Sequence, residues 1–259
     1  MEPELHTYQI SDEVTAFSST RRGGVSEGAY GEFNINTFCG DDARHTTENL
    51  QLLAAELGIP ADHVIVPHQV HGRDCRMITP DYFTLSGEEK KAYIDGFDAV
   101  MTNIPGVCVG VSTADCIPVL VYDARHHAAA AIHAGWRGTV QRIVEVTIRE
   151  MVNSYGSDPA ELTAVIGPGI SLASFEVGDE VYEAFQQEGF DMNLIATKLE
   201  KWHVNLPLCN ETQLIAAGLK PENIQNSGIC TYQQVDDYFS ARRLGIQSGR
   251  IYTGILMNI

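Results

Sequence analysis

Among the residue types able to do chemistry, His71, Cys116 and His133 stand out. One cysteine and two histidines are a ligand set used by catalytic zinc sites, which take three protein ligands and leave the fourth tetrahedral position open to water or substrate. Zinc bound in this way lowers the pKa of its water from about 15.7 toward about 7, giving a nucleophile at neutral pH. Asp115, directly before Cys116, is placed to orient a histidine or to act on that water. The long spacings match no compact metal motif. The plainer reading is a cysteine serving as a small hydrophobe and histidines hydrogen-bonded inside a core.

The elements around these residues bear on the choice. Apolar runs at 117–122 and 128–133 flank the polar stretch Asp123-Ala-Arg-His-His127 and predict an antiparallel hairpin. With 124–127 as the turn, Asp123 pairs with Ala128, and paired residue numbers sum to 251. Cys116 then faces Gly135, and His133 lies two residues back on the same strand face. Diagonal neighbours on one face are roughly 7–8 Å apart, within reach of a shared ion. A turn one residue longer or shorter breaks this parity. His71 can supply the third ligand from the loop Gln69-Val-His-Gly72. His126 and His127 resemble a metal pair, but their place in the turn reads as solvated.

Further out, a helix is expected after Asp41-Asp42, capped by Thr46 or Thr47, with Leu50, Leu52, Leu53, Ala54 and Leu57 at helical spacing before Gly58 and Pro60 stop it. Short strands at 65–66 and 73–78 bracket the loop of His68 and His71, and 107–111 reads as another strand. Pro118 cannot donate to a ladder, which predicts an edge or a bulge there. Val140, Ile143, Val144, Thr147, Met151 and Tyr155 mark an amphipathic helix ending at Gly156. A strand at 162–166 and helices at 179–188 and 207–217 follow. No internal repeat, low-complexity tract or linker divides the chain. The expectation is one domain over 1–259, of the α+β class, with mixed, largely antiparallel sheets flanked by helices.

Glycine-rich turns present backbone N–H groups to anions at the start of a helix. On that ground His133-Ala-Gly-Trp-Arg-Gly138, with the planar donor fork of Arg137, is a candidate anion site, and the polar loop Ser18–Ser26 is a second. A plain tight turn is the competing reading for both.

Acidic residues outnumber basic ones 34 to 17, for a formal charge of −17. That balance argues against nucleic acid and anionic membranes, whose phosphates need Lys and Arg. Arg21-Arg22, Arg137 with Arg142, and Arg242-Arg243 are basic islands that suit a small anion better than a polymer. With 44% hydrophobic residues, a packed core is expected. No run is long enough to span a bilayer, and the start, Met1-Glu-Pro-Glu-Leu-His, has no basic region before an apolar stretch. A cytoplasmic location is therefore expected, with the six cysteines reduced.

Several segments together are recognisable. Ser19-Thr-Arg21 with Gly23-Gly-Val-Ser26, Gln69-Val-His-Gly72, Asp98-Ala-Val-Met-Thr102, Thr113-Ala-Asp-Cys116-Ile-Pro118 and His133-Ala-Gly-Trp-Arg-Gly138 lead the series. Phe175-Glu-Val-Gly178, Cys230-Thr-Tyr232 and Phe239-Ser240 with Arg242-Arg243 complete it. In order and combination they resemble the multicopper polyphenol oxidase (laccase-domain) family, also described as a purine nucleoside phosphorylase family. The resemblance covers nearly the whole chain. It implies zinc at His71, Cys116 and His133, with copper as the alternative. It also implies phosphorolysis of adenosine, inosine, guanosine or methylthioadenosine, and adenosine deamination. The partners would be purine nucleosides and phosphate, the protein acting as a monomer or homodimer. Arg21, Gln69 and Arg137 are the candidates for holding the phosphate, and Asp115 joins the trio as a catalytic candidate. Many relatives carry cysteines where this chain has Ala173-Ser174 and Gln233, and a histidine where it has Phe38. Those losses remove soft ligands and weaken a multicopper reading. A copper-dependent polyphenol oxidase, and a hydrolase of cell-wall peptide amides using Cys116 as nucleophile and His133 as base, are the alternatives.

Overall fold

In the computed structural model, which describes residues 2–259, side chains along the central strands alternate between two cores with a period of two. Met1, the first residue of the amino-terminal reading above, lies outside the described residues. A five-stranded sheet runs in the order β1 (Leu5–Tyr8), β2 (Val14–Ser19), β14 (Ile251–Met257), β6 (Cys108–Thr113) and β3 (Val64–Ile65). A six-stranded sheet runs β13 (Ile224–Asn226), β9 (Thr163–Ile166), β7 (Ile117–Asp123), β8 (Ala128–Ala134), β5 (Ala99–Thr102) and β4 (Cys75–Met77). A small third sheet joins β10 (Glu176–Val177), β12 (Trp202–Val204) and β11 (Ala196–Lys198). Only the β3–β6, β4–β5 and β9–β13 ladders are parallel among these strands. The fold is α+β with mixed, largely antiparallel sheets, as the sequence suggests.

The two large sheets pack face to face. Val109, Val111, Ile255 and Met257 from one meet Val100, Leu120, Tyr122, Ala129, Ala131 and Val165 from the other. The alternate residues of the six-stranded sheet, among them Val119, Val121, Ala130 and Ile132, face a helical layer. That layer holds α3 (Trp136–Val140), α4 (Ile143–Tyr155), α5 (Asp179–Gln187), α6 (Met192–Ile195) and α7 (Leu206–Ala216). On the far side, Phe17, Cys108, Tyr252 and Leu256 pack against Leu53 and Ala54 of α1 (Ala43–Leu57). Two short helices, α2 (Gly87–Tyr93) and α8 (Ala241–Leu244), complete the set. No helix is long and apolar enough to cross a membrane among the described residues.

Three local expectations need correction. The cap of α1 is Asp42, whose carboxylate accepts from the backbone N–H of Arg44. It precedes Thr46 and Thr47, which sit inside the first turns and bond back to Ala43. The helix expected from Val140 is broken at Arg142, which adopts φ 64, so α4 starts at Ile143. Pro118 lies in an interior strand, not at an edge. It faces His133 on one side, while on the other β9 ends at Ile166 and the chain continues into Gly167, whose N–H it accepts. The missing proline donor thus falls where the ladder to β9 stops.

Candidate metal centre

The observed β7–β8 register pairs Asp123 with Ala128 and Ile117 with Ala134, the parity expected from the sequence. Cys116 sits at the corner where the chain leaves β6 in one sheet and enters β7 in the other. Asp115 turns that corner with φ 88, a conformation costly for a non-glycine residue. Its carboxylate holds the turn by accepting the Thr231 hydroxyl and the Arg242 N–H, both at 2.7 Å. Asp115 therefore braces the corner through neighbouring loops, and the structure gives it no histidine partner.

His71 comes from the loop that crosses between the same two sheets, from β3 to β4, and also has positive φ. A buried carboxylate, Asp98, organises this loop. It accepts the N–H groups of Val70 (3.2 Å), His71 (2.9 Å) and Gly72 (2.7 Å). The same carboxylate takes Nδ1 of His133 at 2.7 Å, and its own carbonyl accepts the His133 N–H. One side chain thus fixes two of the three candidate ligands. The bond at Nδ1 leaves Nε2 as the free ligand atom of His133. Burial alone would raise the Asp98 pKa, but its bonds to and charge attraction with His133, and the backbone N–H donors, hold it below the usual range. Sequence reasoning missed this residue as part of the site. Its signal was a lone aspartate opening the Ala-Val-Met-Thr strand, and only the β5–β8 pairing shows what it faces.

The ligand atoms of His71, Cys116 and His133 lie within 4.8 Å of one another, and the two imidazoles meet edge to face at 4.8 Å between ring centroids. His71 is exposed, Cys116 half-buried and His133 buried, so the cluster opens to one side. Burial would raise the Cys116 thiol, but the charge and hydrogen bonds of His133, with help from His71, bring it down to about 6. Burial would lower His133, but the Cys116 thiolate and Asp98 raise it to about 9.

Gly135 explains how three side chains converge. A Cβ there would lie 3.0 Å from both Cys116 Sγ and His71 Cδ2, and 3.7 Å from His133 Cε1. The cradle is one a methyl group would fill. Gly138 is equally constrained, because its Cβ would stand 2.8 Å from the Gly72 carbonyl oxygen. The glycines of this motif thus give clearance for the cluster and for the His71 loop. A borderline-soft ion with imidazole and thiolate preference fits this donor set.

The cluster lies on the wall of a cavity of about 410 Å³, also lined by Asn36, Phe38, His68, Gln69, Ile246 and Arg250. Gln69 lines it, but its amide is committed, donating Nε2–H to the Ser112 carbonyl and accepting the Ser112 N–H. Arg21 is turned into the protein, giving Nε to Gly31 O and Nη1 to Val235 O while its guanidinium lies over Phe239. Arg137 stacks on Trp136 and is absent from the cavity wall. The structure therefore brings the trio together and leaves the two arginines outside. Arg250, unremarked in the sequence, is the arginine that lines the cavity. His126 is tied to Asp123 in the hairpin turn, away from the cluster.

The chain is similar to known proteins over nearly its whole length. The family model of the multi-copper polyphenol oxidoreductase laccases matches residues 15–258. A protein of Bacteroides thetaiotaomicron named purine nucleoside phosphorylase is 45% identical over 248 residues, covering 95% of this chain and 92% of its own length. A protein of an unknown prokaryotic organism, named adenosine deaminase RL5, is 39% identical, covering 93% of each. The crystal structure of the Bacillus licheniformis hypothetical protein YfiH superposes with a TM-score of 0.91 at 25% identity, covering 98% of this chain and 97% of that one.

Proposed function

The chain belongs to the multi-copper polyphenol oxidoreductase laccase family, and from that premise we propose that it is a zinc-dependent purine nucleoside phosphorylase that also deaminates adenosine. Its substrates would be adenosine, inosine, guanosine and methylthioadenosine, with phosphate. The observation that carries this reading is the convergence of His71, Cys116 and His133 on a cavity of a size suited to a nucleoside. The names of the two relatives above support the substrate class.

His71, Cys116 and His133 would hold the zinc, which when bound supplies a Lewis acid and a water acidified toward neutrality. Asp98 keeps the proton of His133 on Nδ1 and holds the His71 loop against the cluster. Gln69 ties that loop to the end of β6, so the floor of the cavity is rigid before substrate arrives. Arg250 brings positive charge to the wall. It is our candidate for the phosphate because it lines the cavity, which Arg21 and Arg137 do not, although Nη1 and Nη2 already donate to the carbonyls of Ser248, Gly249 and Ile246. Among the described residues, the trio is the single group of three or more metal-ligating side chains. A multicopper oxidase needs several such groups, so zinc chemistry is the reading we favour.

The test is incubation with adenosine, with and without phosphate, resolving adenine, ribose 1-phosphate and inosine, together with metal analysis. Adenine and ribose 1-phosphate should appear only with phosphate, inosine should appear in both, and both activities should fall on chelation and return with zinc. Protein inert toward adenosine under all these conditions would overturn the proposal. A second reading is favoured by the chain Cys116–His133–Asp98, which has the connectivity of nucleophile, base and orienter in a thiol hydrolase. Amide hydrolysis surviving complete zinc removal would select it.

A further inference from the structure

The mouth of the cavity is built differently from its floor. Phe38 and Ile246, on different loops, both line it and are 52% and 80% exposed. Exposed apolar residues scattered singly need no explanation. Two on the rim of one cavity, one of them organised, do. Phe38 stacks on His68 with ring centroids 4.3 Å apart and an interplanar angle of 26°. His68 is itself held, with Nδ1 against Asp95 at 2.6 Å and its backbone bonded to Ile94 and Gly96. The Phe38 loop is pinned as well: the Phe38 N–H donates to Asn36 Oδ1, and the Tyr30 hydroxyl donates to the Cys39 carbonyl. On the second loop, Arg250 fixes the Ile246 carbonyl through Nη2. The aromatic surface is thus presented to the cavity at little further entropic cost.

We propose that Phe38, backed by His68, and Ile246 form a clamp for the flat purine ring of the nucleoside during phosphorolysis, with the ribose directed at the polar floor. The proposal rests on the purine nucleoside reading above. A phosphate ion has no use for an apolar rim, whereas a nucleoside divides as the cavity does, into a flat π surface and a hydroxyl-rich sugar. Stacking on an aromatic ring tolerates any base with a π face, so the clamp sets affinity for the base and leaves the chemistry at the floor untouched.

The test uses inosine, which adenosine deamination cannot consume, in steady-state phosphorolysis by the zinc-loaded protein. Base–aromatic stacking predicts that Phe38→Ala raises the KM for inosine roughly tenfold or more. The KM for phosphate and kcat should stay within about twofold of wild type, and Phe38→Trp should restore the inosine KM. Ile246→Ser should raise the inosine KM in the same selective way. Phe38 is on the surface, so an unchanged thermal midpoint is expected and separates the effect from misfolding. Wild-type turnover of inosine with an unchanged KM in Phe38→Ala would overturn the clamp and leave the proposed function standing. Failure of wild type to cleave any nucleoside would overturn the function, and the clamp with it.

Discussion

Replacing Asp98 by asparagine tests the organisation of the site at its centre, because the shape is kept and only the charge and half the acceptor capacity are lost. The buried carboxylate takes four donors: His71 N–H and His133 Nδ1 on Oδ1, Val70 N–H and Gly72 N–H on Oδ2. If the asparagine oxygen takes the place of Oδ1, its amide NH₂ confronts two backbone N–H groups. Flipped, it confronts His71 N–H and the Nδ1–H of His133. Either way two hydrogen bonds to a charged group are lost, each worth about 1.5–3 kcal/mol, for a total of about 3–6 kcal/mol. That is a large share of the roughly 5–15 kcal/mol that holds a domain folded. Loss of such a partner to a metal ligand also lowers metal affinity by roughly 10–100-fold. Urea unfolding of metal-free protein would measure the first effect, and competition with a chromogenic chelator the second. A loss below about 1 kcal/mol with zinc affinity unchanged would refute the assignment of Asp98 as the organising group.

Gly135→Ala isolates the cluster from the fold: φ −68 and ψ 168 suit alanine, but the new Cβ would crowd Cys116 Sγ and His71 Cδ2 at 3.0 Å. Metal sites tolerate ligand shifts of only about 0.2 Å, so zinc affinity should fall at least tenfold with little change in circular dichroism; full zinc occupancy at micromolar metal would contradict this. Asp115→Ala leaves the Thr231 hydroxyl and Arg242 N–H unpaired while keeping φ 88, and should cost roughly 2–4 kcal/mol in denaturant titration; a wild-type midpoint would count against its bracing role. In metal-free protein Cys116 should be alkylated by iodoacetamide with a rate that rises through pH about 6, while Cys75, Cys108 and Cys209, pushed up to about 12 by burial, stay inert, and zinc should protect it. Stability should show no matching step. The folded pair titrates near 6 and 9, the unfolded groups near 6.5 and 9, so the proton count hardly differs between states. Asp98 behaves otherwise: its lowered pKa gives stability that is present above its unfolded value of 3.8 and lost as the pH falls through the depressed one.

The legible part of the site was the part carried by strand parity. Cys116 and His133 share a face because the Asp123–Ala128 turn has four residues, a count readable from two apolar runs and the polar stretch between them. His71 has no such local rule, since its loop joins strands in different sheets; the residues alone made it a guess, which the family resemblance supported. Asp98 was harder still, because β5 reaches β8 across a sheet whose order does not follow the chain. Arginines mislead for a related reason. Sequence shows the charge of Arg21 and Arg137 but not the carbonyls and rings that engage them, and it gives Arg250 no distinguishing context. Pro118 violated its edge rule because the rule concerns the missing N–H, and the ladder happens to end where that N–H would point.

The meaning of the segment His133–Gly138 shifts accordingly. Read as a sequence, its two glycines before a helix suggest a cradle for an anion. In the fold α3 is five residues long, and both glycines lie where a side chain would strike something fixed. Gly135 clears the ligand cluster, and Gly138 lets the helix backbone approach the Gly72 carbonyl of the His71 loop. Since Asp98 binds that loop and His133 together, the glycines and the carboxylate act on the same contact from opposite sides: one permits the approach and the other secures it. A change at any of the three should therefore disturb His71 and His133 jointly, and paired substitutions such as Gly138→Ala with Asp98→Asn should be less than additive in their effect on zinc affinity.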